Sequence, residues 1–270
     1  MSKLQIKSIL KELTKHAHIG ITTRGNSAIK TALSILPENS KILIPEEGGW
    51  LSYQTLPKEL GLEEVEVKCD DAKINLADLK EKLNKGNFAA FLYHNPGGYF
   101  AEQDTEMIYS ICKENGCLAI LDVSGSLGTK LGDGDHADIL VGSFGKWKLV
   151  DAGKGGFISC NEGELWKKIA ENLHEFDDQE LLNKIVTKLK EISVRRNKLE
   201  TIRKKVIADL KDHDVVYPDD YGLVVIVLFR DDAEKENLIN YCRLNGLEWT
   251  ECPRYIRLNK KAISIEIKRL

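Results

Sequence analysis

Two lysines, Lys146 and Lys148, sit in a polar, glycine-punctuated turn at residues 143–156, between short apolar runs at 139–141 and 157–160. Ser143 precedes them, and Lys154 lies in the glycine cluster that follows. A lysine packed beside a bulky apolar side chain loses hydration, its pKa falls, and the neutral amine becomes an available nucleophile. Four further features could serve such an amine. Gly25, Asn26 and Ser27 open a helical stretch and leave backbone N–H groups free for an anion. Trp50 follows a glycine pair just beyond an apolar run, where an aromatic face can stack on a flat ligand. Asn95 begins an Asn-Pro-Gly-Gly turn, and Asp122 closes the apolar run 117–121. A carboxylate ending a buried strand is costly unless a cation partners it.

The elements that must position these residues alternate. Apolar segments at 41–45, 64–69, 88–93, 117–121, 139–141 and 157–160 read as strands. Amphipathic segments at 4–18, 28–36, 75–83 and 106–115 read as helices, with Asn75 as a cap. That alternation predicts an α/β fold, a mostly parallel sheet flanked by helices. The five features then lie at or near strand C-termini, where open α/β sheets bind ligands. Residues 164–212 are charged, contain no glycine or proline, and read as almost continuous helix. Strands at 221–229, 254–258 and 262–268 with a helix at 234–245 predict a small C-terminal α+β domain. The expected organisation is a large domain at 1–165, linking helices at 166–212 and the small domain at 213–270.

With 270 residues and a net charge of -3, the chain lacks the basic excess of a nucleic-acid binder. No apolar run approaches the ~20 residues that cross a bilayer. Charges recur from Lys3 to Lys15, unlike a signal peptide, so the expected compartment is cytoplasmic. Cysteines at 69, 112, 117, 160, 242 and 252 form no CxxC pair or His/Cys cluster. They read as buried thiols, and no metal site is expected.

Pyridoxal 5'-phosphate is the cofactor whose chemistry needs this set. It requires a lysine for a Schiff base, a carboxylate that keeps the ring nitrogen protonated, and a cup for its phosphate. As an ordered set over residues 19–161, the motifs resemble the fold type I pyridoxal-phosphate enzymes, the aminotransferase superfamily. Residues 95–98 (NPGG) resemble the turn whose asparagine contacts the cofactor's phenolic oxygen, a role that falls on Asn95. Residues 121–128 (LDVSGSLG) resemble the strand bearing the ring-nitrogen carboxylate, Asp122. Residues 24–27 (RGNS) are similar to the phosphate-cup turn, Ser143 to the phosphate-binding serine, and Trp50 lies near the stacking position.

Two registers remain for the lysine. Ser-Phe-x-x-x-Lys followed by Gly-x-Gly-Gly resembles the DegT/DnrJ/EryC1/StrS-like branch and selects Lys148. Ser-x-x-Lys resembles the class I/II enzymes and selects Lys146, with Lys154 taking the place of a phosphate-binding arginine. The longer continuous match favours Lys148. Arg257, with Arg254 as competitor, is the candidate for holding a substrate carboxylate. The resemblance implies an aminotransferase acting on an amino acid or an amino or keto sugar, as a homodimer, with small-molecule amino donor and keto acceptor. A lyase, decarboxylase or aldolase on the same fold, or a cofactor-fold protein without catalysis, is the alternative.

Overall fold

Side chains alternate faces along a strand, so a sheet covered on both sides must be apolar at every position. The inner strands of the large sheet follow this rule, whereas its edge strand at 63–67 carries three glutamates and is only partly buried. In the computed structural model, which describes residues 2–270, its strands are β1 (His18–Thr22), β2 (Lys41–Pro45), β3 (Glu63–Val67), β6 (Ala90–His94), β7 (Leu118–Asp122), β8 (Ile139–Ser143) and β9 (Gly156–Cys160). A two-stranded ribbon, β4 (Cys69–Asp70) and β5 (Lys73–Ile74), follows β3. The order across the sheet is β1-β9-β8-β7-β6-β2-β3. The run from β3 to β8 is parallel, β9 is antiparallel to β8, and β1 is antiparallel to β9. The sheet is therefore mostly parallel, as the alternation predicted.

Helices cover both faces. On one, Leu43, Phe91, Tyr93, Leu121 and Leu140 pack with α1 (Ser2–Thr14), α4 (Leu76–Lys85) and α5 (Thr105–Glu114). On the other, Ile42, Leu92, Ile120, Val141 and Ile158 pack with α2 (Gly25–Ser34), the short α3 (Leu56–Glu59) and α6 (Gly163–Asn172). Asn75 caps α4 as expected, its side chain accepting from the Asp78 N–H at 3.0 Å.

Several boundaries differ from the sequence reading. The first helix stops at Thr14, since Lys15 turns the backbone to a left-handed φ of 59°. Residues 18–22, read as the end of that helix and a loop, form β1 because β9 offers them a partner. The helical stretch 164–212 is three helices, α6, α7 (Gln179–Lys190) and α8 (Ile192–Asp209). Asp178 breaks it by capping α7, accepting from the Leu181 N–H at 3.0 Å. The first of these helices packs on the large sheet, and it spans the expected 165/166 boundary.

The C-terminal part holds β10 (Val225–Leu228), α9 (Asp232–Leu244), β11 (Trp249–Cys252) and β12 (Ala262–Ile265), with an antiparallel sheet order β10-β12-β11. Residues 254–258 are not a strand. The Arg254 N–H donates to Leu258 O and the Arg257 N–H to Arg254 O, which closes a turn. The last strand also ends early, at Ile265, and a 3-10 turn follows at Ile267–Arg269. Both turns lean over the C-terminal edge of the large sheet. The Gly48 N–H donates to Tyr255 O at 2.7 Å, and the Lys268 N–H donates at 2.9 Å to Leu223 O, whose own N–H donates to Tyr99 O at 2.8 Å.

Candidate active site

β7 and β8 end side by side, at Asp122 and Ser143, and the strand ends continue into a crevice. The crevice holds a cavity of about 480 Å³. Gly25 and Asn26, at the first turn of α2, form one end of it with Ser143 and Lys154. Glycine is required there: a Cβ on residue 25 would lie 2.7 Å from Ser143 Cβ. No side chain caps this helix, so its first N–H groups are available to an anion. Arg24 and Lys154, both on the cavity lining, add positive charge at the same end.

Asp122 is buried on the cavity wall. Its Oδ2 accepts from the Tyr53 hydroxyl at 3.0 Å and its Oδ1 from the Ser124 N–H at 2.9 Å. Burial, together with the Asp122 charge, drives the Tyr53 pKa well up, so this hydroxyl keeps its proton and remains a donor. Ser124 also accepts from the Ser143 N–H at 3.0 Å, tying the two strand ends together.

The two lysines part ways. On an extended segment they would point the same way, but Trp147 between them has a φ of 65° and the backbone turns. Lys148 is 8% exposed and enters the cavity, while Lys146 stands exposed at its rim. Lys148 Nζ donates to the Tyr99 hydroxyl and lies 5.0 Å from the Trp50 ring centroid. The Trp50 indole is fixed in turn by its Nε1–H, which donates to Asn26 Oδ1 at 2.9 Å.

Three expected residues are not brought into this arrangement. Asn95 is fully buried away from the cavity lining, its Oδ1 accepting from the Gln103 N–H at 3.0 Å and its Nδ2 donating to Leu131 O at 3.3 Å. The amide thus holds the turn after β6, and Asn95 is not among the residues that line the cavity. Ser27 bonds Thr23 at 2.8 Å and is not among the lining residues, although Asn26 and Ile29 on either side of it are. Arg257 reaches the cavity but is only 1% exposed, and Glu266 occupies its fork, Nη2 donating to both carboxylate oxygens at 2.8 Å. Its Nε and Nη1 bond Ser264 Oγ and Ile256 O. It cannot also clamp a substrate carboxylate.

Sequence reasoning missed Tyr53, Tyr99, Ser124 and Lys268, all at or beside the cavity. A buried Asp122 needs donors, and that requirement pointed to a nearby hydroxyl such as Tyr53. Tyr99 carried a signal too: it directly follows Asn95-Pro-Gly-Gly, and its own φ is 70°.

The parallel sheet with its crevice beyond the strand ends, a buried lysine and a buried carboxylate inside it, is the architecture of the fold type I group. Solved structures bear out that fold. A serine palmitoyltransferase from S. paucimobilis, with a PLP–myriocin aldimine bound, superposes with a TM-score of 0.75 at 14% identity, over 98% of this chain and 71% of that one. Ureidoglycine-glyoxylate aminotransferase from Bacillus subtilis gives 0.75 at 15% identity, over 98% and 78%. 3-Amino-5-hydroxybenzoic acid synthase gives 0.74 at 15% identity, over 98% and 85%. The curated proteins contain no significant match. Residues 4–216 match the family model of the DegT/DnrJ/EryC1/StrS aminotransferases, and the chain belongs to that family. Residues 179–270 match the MJ1341 family C-terminal domain.

Proposed function

We propose that the cavity binds pyridoxal 5'-phosphate and that the chain is a pyridoxal-phosphate-dependent aminotransferase with Lys148 as its reactive amine. One observation carries the reading: a buried amine, Lys148, and a buried carboxylate, Asp122, line a single cavity whose far end is an uncapped helix N-terminus. The donor set fits the cofactor. Gly25, Asn26, Ser143 and Lys154 would hold the phosphate, Trp50 would offer its face to the ring, and Asp122 would hold the ring nitrogen. Bound there, the cofactor supplies an electrophilic aldehyde and an electron-withdrawing ring.

The chain's own groups do the rest. Tyr53 and the Ser124 N–H hold the Asp122 carboxyl in place, aimed at the position the ring nitrogen would take. Lys148 Nζ is the atom that gives and takes protons, as a general base held beside the reacting centre. Tyr99 fixes where that amine points through its hydroxyl. Lys148 is buried beside Tyr99 on the cavity wall.

The finer reading includes a homodimer, supported by the exposed Leu51 and Trp147 on the cavity rim, apolar surface that a second copy would cover. Among the described residues no helix is long and apolar enough to cross a membrane. The test is an absorption scan after adding pyridoxal phosphate. Wild type and Lys146→Ala should develop the visible band of lysine-bound cofactor, and Lys148→Ala should not. A wild type that stays colourless sinks the proposal. Amino acids and amino sugars offered to the loaded protein then choose the substrate branch, and sedimentation velocity reads the dimer.

A further inference from the structure

The roof of the cavity comes from the turn at 254–258 and the 3-10 turn Ile267–Arg269, and it carries Arg254, Arg257, Lys268 and Arg269 into the lining. Among the described residues, Asp122 is the only acidic one on that lining. Arg257 is hydrogen-bonded to Glu266, Ser264 and Ile256 through four of its five N–H groups. Lys268 is not. It is 5% exposed, yet among the described residues no hydrogen bond reaches its ammonium. The nearest carboxylate oxygen, Glu266 Oε2, is 3.7 Å away, outside hydrogen-bond range.

Glu266 has little left to give. Its Oε1 accepts from Thr250, Ser264 and Arg257, and its Oε2 from Arg257. Lys268 Nζ instead lies 4.2 Å from the Tyr99 ring centroid, the same ring that Lys148 Nζ approaches at 4.5 Å. Burial, then the neighbouring Arg257 and Lys148, push the Lys268 pKa well below the usual lysine range. A lysine has three donors, and leaving them unmet inside a protein is costly unless a ligand supplies acceptors.

We infer that Lys268 receives the carboxylate of the substrate, next to the amine of Lys148, and that the substrate is therefore an amino or oxo acid. The inference rests on the cofactor reading above and names the substrate class of the same site. Arg254, exposed at the mouth, is the second cation on the path inward. A neutral amino sugar would leave Lys268 unmatched.

Calorimetric titration of the pyridoxal-phosphate-loaded protein with succinate tests this, with succinamide as the uncharged control. Succinate should bind wild type, and Lys268→Met should weaken it about tenfold to hundredfold, the range for one lost charge-assisted hydrogen bond. Succinamide affinity should be the same in both. The variant should melt at or above wild type, because an apolar side chain replaces a buried amine with no hydrogen bond, and Glu266 keeps Arg257 as its partner. Equal succinate affinity in wild type and variant overturns the inference while the visible band leaves the cofactor reading standing. Binding of inorganic phosphate in preference to succinate overturns it as well. No band in wild type overturns both readings. If the variant does not fold, acetic anhydride labelling of wild-type Lys268, read by peptide mass, replaces it: protection by succinate supports the assignment, and equal labelling overturns it.

Discussion

On the side of the large sheet, Asp122 holds two hydrogen bonds, Ser143 and the first turn of α2 face open space, and Lys148 touches a tyrosine hydroxyl. On the side of the C-terminal turns, Arg257 and Glu266 close on each other inside the protein, and Lys268 is left over. The first wall keeps its polar groups open toward the cavity. The second spends most of its charge on itself. A bidentate buried ion pair of this kind contributes little net stability, yet breaking it leaves a buried charge unmatched. The contrast separates residues that wait for a ligand from residues that build the roof, even though both kinds line the same space.

The largest effect should come from the first wall. Lys148→Ala should abolish the visible band and reduce any half-reaction by at least about 10²–10⁴-fold, whereas Lys146→Ala, two residues away, should leave both unchanged. A loss of the band in Lys146→Ala instead would reverse the assignment of the two lysines.

The second wall should answer in stability. Glu266→Gln leaves Arg257 buried without its hydrogen-bonded counter-charge and should cost about 3–5 kcal/mol in urea unfolding. If the loss stays below 1 kcal/mol (on the order of a surface pair), the roof is not held by this pair.

Acid brings the two sides into one titration. Burial, despite the Asp122 charge and with help from Lys148 and Lys268, depresses His94 to about 4. Its imidazole stays neutral in the fold while the unfolded chain takes up the proton first, so stability is lost as pH falls from ~6.5 toward 4. The full effect is about 3 kcal/mol, and His94→Phe should remove it. Burial alone would raise Glu266, but Arg257, Lys268 and Arg269 overcome it and hold the carboxyl at about 2. Its contribution is present above ~4.5 and disappears as pH falls below that toward 2. Unfolding curves across this range should show two successive losses in wild type and a smaller upper one in His94→Phe, where His16, also lowered by burial, still contributes.

The smallest effect separates orientation from charge. Tyr53→Phe removes one donor from Asp122 and should lower stability or cofactor affinity by about 1.5–3 kcal/mol, with Lys148 reactivity intact. An unchanged cofactor Kd together with unchanged stability would show that the Ser124 N–H alone suffices.

What the sequence made legible was local. Asp122, Ser143 and Lys148 were found because a strand end is visible in the apolar pattern, and Gly25 because a glycine opens a helix. Their convergence on one cavity follows from a parallel sheet, which brings strand C-termini to one edge. The misreadings turn on partners far along the chain. Arg257 was read as free because Glu266 lies across a turn, and that turn was itself read as a strand. Asn95 was assigned to a ligand because nothing near it in sequence announced Gln103 and Leu131 as claimants for its amide. Lys268 went unnoticed for the opposite reason: only in three dimensions does it emerge that no residue claims it. That Lys148 is buried while Lys146 is exposed depends on the backbone turn at Trp147, which no residue pattern announced.

The indole of Trp50, pinned to Asn26, has an optical consequence. The protein has four tryptophans, and two of them, Trp50 and Trp147, border one cavity. Of the others, Trp166 stacks on His18 and Trp249 lies under Arg243. A light-absorbing ligand entering that cavity quenches the first pair and spares the second, so the chain carries its own gauge of occupancy. Replacing Trp50 and Trp147 one at a time would show which of them reports, with no external dye and no turnover required.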